Sequence, residues 1–466
     1  MSRPLHFRPL ELGDRAVIER YTMPSPHTNC DLAFANMYCW RPIYRSEWCE
    51  ADGWLLIRFR IDGGPRIGYM QPLGTGDCTA VLPLLEADAA AHGQPLRLVG
   101  LTDAAAAQLQ ALRPDLILRA NRDMSDYIYR RDDLCRLAGR HYQPKRNHIN
   151  RFRTAYPDYR FEPLTPDRFD ECLRLEQHWC QLHAGCFHAA ILAERQAIRR
   201  AFGAFSALGL RGGCLYVGER MVAFTYGSFV NHETFVVHVE KADTDYEGAF
   251  AMINRCFAET LPDTCRLINR EEDLGLEGLR KAKLSYCPAA IPNKVRALFA
   301  GAPELACRRL WQRCFPEDET DFIDSFLLQH YTRSRMSVAR DAGGEIVAML
   351  HRIPFESELG RLSYLYGIAT DPDHRRQGHA ARLIREAVQA ALAAGDAGLF
   401  LIAADDSLRD WYRRFGFEGD VAIAFQTPDG FDFGTGDPSR DRALLLRLDP
   451  SVPLPGQLVC RLADEA

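Results

Sequence analysis

The sequence predicts an α/β protein, layered in the α+β manner, made of three like units in which a mixed central sheet is flanked by helices. Three observations carry this expectation. The 466 residues exceed what one core holds, and about 150 residues per domain gives roughly three. Short apolar runs rich in β-branched and aromatic residues alternate with Ala- and Leu-rich helical stretches. The order strand, turn, helix, strand, helix occurs near the C-terminus and again, degenerately, in the middle of the chain.

Taken in order, residues 7–103 open with a polar helix-like stretch, and residues 31–40 form an aromatic-rich helix or turn that packs rather than binds. Residues 54–60 and 65–74 read as a hairpin with Asp62, Gly63 and Gly64 in its turn. A helix over 82–91 stops at Gly93, followed by a strand at 96–101, a helix at 104–112 and a strand at 126–130. Residues 134–153 are the densest basic stretch. There Lys145, Arg146, Arg151 and Arg153 either grip a phosphate-bearing substrate or form a solvated helix face between two lobes.

A second α/β stretch runs from about residue 159 to 299, with Gln177, His178 and Trp179 on a long helix, a hairpin of 213–218 with 221–229, and a strand at 233–240. Between Glu240 and Ala251, Asp243, Asp245 and Glu247 would repel a pyrophosphate rather than hold it. The last unit starts near Gly301, with helices at 310–315 and 321–326 and a hairpin of 337–340 with 345–350. From Asp449 on, three prolines suggest a tail or a last edge strand.

A net charge of −5 gives no general attraction to a phosphate backbone, so nucleic acid would need a local basic patch. No apolar run reaches the roughly 20 residues of a membrane helix. The fifteen Cys lack paired Cys-x-x-Cys spacing, and the first residues lack a signal-peptide core. The expectation is a cytoplasmic protein with reduced thiols, no metal and no membrane span.

The chemistry centres on residues 363–417. A strand at 363–370 is interrupted by Asp371, Pro372, Asp373 and His374, and Arg375, Arg376, Gln377, Gly378, His379 and Ala380 then run into an amphipathic helix ending near Gly395. Such a turn points backbone N–H groups at one spot, Gly378 permits close approach, and the helix N-terminus and the arginines favour an anion. This is a pyrophosphate cradle. A second strand at 398–403 leads through Asp405 into 408–417, which holds Trp411, Tyr412, Gly416 and Phe417.

In Arg375, Gly378 and Ala380, followed by Tyr412 and Gly416-Phe417, the segment resembles the GNAT superfamily of acetyl-CoA-dependent N-acyltransferases. The resemblance implies that Ile368, Ala369, Thr370, Arg375, Arg376, Gln377, Gly378, His379, Ala380 and Ala381 bind acetyl-CoA, the acyl donor. It also implies that the backbone near Ile368 and Ala369 polarises the thioester carbonyl. Asp405, which stands where the family often carries Asn, completes this set of coenzyme-binding residues. Tyr412 is the natural general acid, because a phenol of pKa about 10 stays protonated yet can give its proton to a thiolate. The family's base position, on the strand before the cradle, falls on Tyr364 and Tyr366. A neutral Tyr is a poor base, which leaves ordered water or His351, Glu356 or Glu358, each read as a solvated loop residue.

Residues 269–275, 278–288 and Lys145-Arg146-Asn147 are similar to a bacterial domain related to the soluble catalytic part of phosphatidylglycerol lysyltransferases. This resemblance covers roughly the first 300 residues and implies two GNAT-like lobes in tandem, so three GNAT-like acyltransferase units in all: 1–140, 141–300 and 301–466. The expected function is acetyl transfer to the primary amine of a small molecule or peptide. One alternative is aminoacyl transfer from tRNA by the N-terminal lobes, with Lys281, Lys283, Lys145 and Arg146 most important. The other makes those lobes a non-catalytic module that presents the substrate.

Overall fold

A computed structural model describes residues 4–64, 66–183, 188–427 and 430–463. Among them, fourteen α-helices flank three mixed sheets. Pro65, expected to open the second strand of the first hairpin, lies outside the described residues. The expected mixed α/β architecture of three sheet-centred units is what the chain adopts.

The first sheet has seven strands, in spatial order Arg8–Pro9, Glu47–Ala51, Trp54–Arg60, Ile67–Met70, Arg97–Leu101, Val295–Leu298 and Ile117–Ala120. The second has six: Ile128–Arg130, Leu267–Asn269, Thr234–Ala242, Arg220–Phe229, Arg211–Val217 and Arg160–Pro163. Two segments thus cross between the N-terminal lobes. Val295–Leu298, reached only after the second lobe, is inserted between Arg97–Leu101 and Ile117–Ala120 of the first sheet. Ile128–Arg130 forms an edge of the second sheet. The lobes also share one apolar core, in which Phe34, Trp48 and Ile57 meet Cys172, Phe202, Phe224 and Val239.

The third sheet runs Met336–Arg340, Ile346–Ser357, Gly360–Thr370, Gly398–Ile402, Arg442–Arg447, Glu418–Gln426 and Gln457–Leu462. Its second strand continues through Pro354 to Ser357, past the point where a loop was expected. Gln457–Leu462 is not an edge or a tail. It pairs in parallel with Glu418–Gln426 and antiparallel with Phe355 and Glu356, so the sheet closes on itself at that end. One face packs on Trp311, Phe326, Tyr364 and Phe400. The other packs on the helix His379–Ala394, whose Leu383, Ile384, Ala387 and Ala391 recur at helical spacing and are buried.

Candidate active site

The cradle is built by the turn between the strand Gly360–Thr370 and the helix His379–Ala394. Asp371 accepts the Asp373 N–H at 2.9 Å and so starts a short 3₁₀ turn over Pro372–His374. Arg313, from the helix Ala302–Cys314, holds that turn from outside, bonding Asp371 at 2.8 Å and Asp373 at 2.5 Å. Arg375 folds back to donate to the Thr370 carbonyl at 3.3 Å. Arg376 and Gly378 both take left-handed backbone, at φ 64° and 83°, with Gln377 between them. This is the alternation that turns successive N–H groups to one side. A Cβ at Gly378 would meet nothing within 4 Å, so the concavity in front of it is open. Gly378 caps the helix, so its N–H and those of His379, Ala380 and Ala381 lack intrahelical acceptors and face an incoming anion.

Beside the cradle the sheet splays. Gly360–Thr370 pairs with Gly398–Ile402 only at Leu362, Ser363 and Tyr364, so from Leu365 to Thr370 that edge has no strand beside it among the described residues. Main-chain donors and acceptors of a ladder line the resulting wedge, which suits an extended amide-bearing arm such as that of coenzyme A. On the other edge the register slips: Met349 faces Ala369, but His351 faces Tyr366. The bulge lies on Gly360–Thr370 at Gly367 and Ile368, with Gly367 at φ 57°. It takes main-chain groups beside Ile368 and Ala369 out of the ladder, at the residues where the GNAT resemblance leads one to expect a carbonyl-polarising N–H.

The three tyrosines divide between the two faces of the sheet. Tyr412, on the helix Asp406–Arg413, is only 7% exposed and packs with Leu365, Leu401 and Phe417 on the cradle side. Burial, then the Asp405 carboxylate, pushes its phenol up to about 12, so it keeps its proton. Asp405 caps this helix by accepting the Leu408 N–H at 2.8 Å. Tyr364 and Tyr366 lie on the opposite face. The Tyr364 ring stacks on Phe400 at 4.6 Å and its hydroxyl donates to the Phe433 carbonyl at 3.2 Å, so it is tied into the core. Tyr366 is half-buried against Trp311, Phe326 and Phe433.

His351 is a strand residue 2% exposed, not a solvated loop residue. It sits across from Tyr366 beside the bulge, its Nε2 has no hydrogen-bond partner among the described residues, and burial pushes its imidazole down to about 3. Glu356 and Glu358 lie near the tip of the same hairpin, away from the cradle. Sequence reading missed Arg313, which no local signal could reveal, and the bulge, which a glycine inside an apolar strand did signal.

The corresponding turn of the second lobe is filled. Gly248 caps the helix Ala249–Thr260 at φ 92°, but a Cβ there would lie 2.4 Å from the His148 carbonyl, because the helix Gln143–Ala155 crosses the spot. The basic stretch is largely used internally. Arg146 donates to the carbonyls of Leu137 and Gly139, Arg151 pairs with Glu247 at 2.8 Å, and Lys145 lies 4.0 Å over the Tyr286 ring. Burial, then the nearby Arg270 charge, pushes the Lys145 ammonium down to about 8. Lys281 is exposed, whereas Lys283 is buried and donates to the carbonyls of Arg270, Glu271 and Glu272.

Residues 22–294, more than half of the chain, match the family model "Phosphatidylglycerol lysyltransferase, C-terminal", and residues 304–419 match "Acetyltransferase (GNAT) domain". Among solved structures, a conserved protein of unknown function from Bacteroides thetaiotaomicron is 46% identical, with a TM-score of 0.62, over 64% of this chain and all of its own. The C-terminal domain of a putative lysylphosphatidylglycerol synthetase from Agrobacterium fabrum is 14% identical, with a TM-score of 0.45, over 62% of this chain and 94% of its own. The L-PGS structure from Bacillus licheniformis is 13% identical, also with a TM-score of 0.45, over 65% and 96%. No curated protein matches the chain.

Proposed function

Because the chain belongs to the phosphatidylglycerol lysyltransferase C-terminal family and carries a GNAT acetyltransferase domain behind the matched region, we propose that this last unit transfers an acetyl group from acetyl-CoA to a primary amine. The observation that carries the proposal is the open cradle at Gly378, set against the filled turn at Gly248. The main-chain N–H groups of Gly378 to Ala381 bind the pyrophosphate, Arg375 and Arg376 add positive charge, and the wedge after Tyr364 takes the arm. Bound there, acetyl-CoA supplies the thioester.

The bulge beside Ile368 and Ala369 stabilises the oxyanion formed when the amine nitrogen bonds to the carbonyl carbon. Tyr412 then protonates the departing sulfur as the C–S bond breaks. Tyr364 is committed to the Phe433 carbonyl, which leaves His351 and Tyr366 on the acceptor face. His351, weak as a base, suits an amine that arrives neutral and gives up its proton only as the new bond forms. The setting is cytoplasmic, and the acceptor is a small molecule or peptide amine.

The test is release of free coenzyme A thiol from acetyl-CoA in the presence of a panel of polyamines, amino sugars and N-terminal peptides. Wild type should turn over at least one acceptor, and Tyr412→Phe should do so slowly with little change in KM. No acetyl-CoA binding by the wild-type protein would end the proposal.

A further inference from the structure

The second lobe repeats the splayed, bulged strand pair without a usable cradle, and something else stands in the wedge. Thr234–Ala242 pairs in parallel with Leu267–Asn269 only as far as Val236, as Gly360–Thr370 does with its neighbour as far as Tyr364. His238 lies two residues past the last pair, the place Tyr366 holds in the last unit. It is also the extra residue of a bulge: Gly227 faces Val237 and Tyr226 faces Val239, leaving His238 outside the ladder. The close approach that makes this bulge possible needs a glycine, since a Cβ at Gly227 would lie 1.9 Å from the Val236 carbonyl.

The bulge aims His238 between two partners. Its Nε2 lies 2.8 Å from the Ser228 hydroxyl, and its Nδ1 lies 2.9 Å from a Glu271 carboxyl oxygen. Glu271 takes left-handed backbone, at φ 57°, unusual for a residue with a side chain. That conformation is held from several sides. The Glu271 N–H donates to Asn269 Oδ1 at 2.6 Å, and its carbonyl accepts from the Tyr127 N–H at 3.1 Å and from Lys283 at 3.2 Å. Asn269 in turn donates to Asp126 at 2.8 Å, which pairs with Lys294 at 2.8 Å. Three residues from three strands or strand ends, a serine, a histidine and a glutamate, are thus joined in series in a preorganised frame, where a nucleophile, a base and an orienting acid would be.

We infer that the second lobe carries its own acyl-transfer centre, in which Ser228 attacks an oxygen ester, His238 is its base and Glu271 positions His238. Ser228 Oγ bonds to the ester carbonyl carbon as its proton passes to His238 Nε2. The bond from that carbon to the alcohol oxygen breaks, and His238 returns the proton to the departing alkoxide. The acyl-serine is discharged by the reverse sequence to a hydroxyl, an amine or water, which restores the serine's proton. Exposure rises along the series: Ser228 is 4% exposed, while the His238 and Glu271 side chains are 9% and 23% exposed, so a substrate enters along the Glu271 side. The centre lies in a different lobe from Gly378 and Tyr412 and needs no coenzyme A.

The experiment uses the full chain at pH 9, above the point at which Glu271 ionises, and p-nitrophenyl acetate, an ester small enough for a narrow wedge. Wild type should release a burst of p-nitrophenol and carry one acetyl group on the peptide containing Ser228, located by mass spectrometry. In His238→Gln the adduct should form roughly 10²–10⁴-fold more slowly. Glu271→Gln, which keeps the shape and a hydrogen bond, should fall between. A hydrogen-bonded chain that merely ties three strands together would give no adduct. An unmodified Ser228 peptide in the wild type, or labelling of a folded His238→Gln or Glu271→Gln protein at the wild-type rate, overturns the inference, and the wild-type result does not depend on how any variant folds.

Discussion

Replacing Gly378 separates backbone strain from blockage of the cradle. At φ 83° any side chain costs about 1–2 kcal/mol, yet a Cβ would meet nothing within 4 Å. Gly378→Ala should therefore be a nearly pure strain mutant. Its melting transition should fall by a few degrees, at about 2–4 °C per kcal/mol for a domain of this size, with modest loss of acetyl-CoA affinity. Gly378→Trp adds bulk in front of the helix N–H groups. Charge-assisted hydrogen bonds contribute about 1.5–3 kcal/mol each, so losing two of them should weaken acetyl-CoA by about 10²–10⁴-fold relative to the alanine variant. Calorimetric titration of both variants, paired with thermal melts, reads the two effects separately. If Trp and Ala bind acetyl-CoA equally well, the pyrophosphate does not sit at this turn, and the reasoning from the open concavity is wrong.

Other perturbations have equally definite outcomes. Tyr412→Phe should lower kcat by about 10²–10⁴-fold with KM nearly constant, as expected of a group that acts only when sulfur departs. Gly248→Ala, with its Cβ 2.4 Å from the His148 carbonyl and φ at 92°, should destabilise the N-terminal lobes by about 2–5 kcal/mol in urea melts. Lys294→Met strands the buried Asp126 carboxylate that it pairs with at 2.8 Å and should cost about 3–5 kcal/mol, partly recovered in the double variant with Asp126→Asn. Acetylation of Ser228 should speed up as pH rises through about 8. Burial keeps the Glu271 carboxyl protonated up to that point, with Asp126 and Asp31 adding to the effect and Lys283 and Lys294 opposing it. Ionised, Glu271 accepts Nδ1–H and frees the Nε2 lone pair for the serine. Burial pushes His238 down to about 3, as it does His351, so its basicity depends on the ionised Glu271 carboxylate at Nδ1, and a rate flat from pH 6 to 9 would contradict this account.

What the sequence made legible depended on how local the signal was. The helix Leu82–Ala91 and the turn at Gly378 were written in neighbouring residues, by apolar periodicity and by glycine beside arginine, and both form as read. The run from Asn269 to Asp273 was singled out only by resemblance. The structure gives each residue a partner: Asn269 bonds Asp126, Arg270 bonds Glu240, Glu271 faces His238, Glu272 faces Lys294 and Asp273 bonds Arg280. All but the last of these pairs span separate strands or lobes, so no periodicity could disclose them. His351 was misjudged for a related reason. Pro354 suggested a loop, whereas the strand continues because Ile353, Pro354 and Phe355 still pair across the hairpin with Tyr364, Ser363 and Leu362. Ser228 and His238 left a faint trace, a glycine and a histidine inside otherwise apolar strands, which gains meaning only once the bulge sets them side by side.

The late arrival of Val295–Leu298 in the first sheet also has a temporal side. As the chain leaves the ribosome, Arg97–Leu101 and Ile117–Ala120 cannot reach their final places until residue 298 has emerged, because the strand that separates them is still unmade. The whole second lobe must be synthesised meanwhile. The first lobe therefore waits with an unfilled slot in its sheet, an edge that other nascent chains could occupy, and it matures together with the second as one slow, high-contact-order unit. The last sheet draws only on residues 336–462 and can close without delay once they are out. Arg97 then donates to the Tyr331 carbonyl at 2.8 Å, and Arg119 bonds Asp321 and Asp324, seams that can form only after both halves exist.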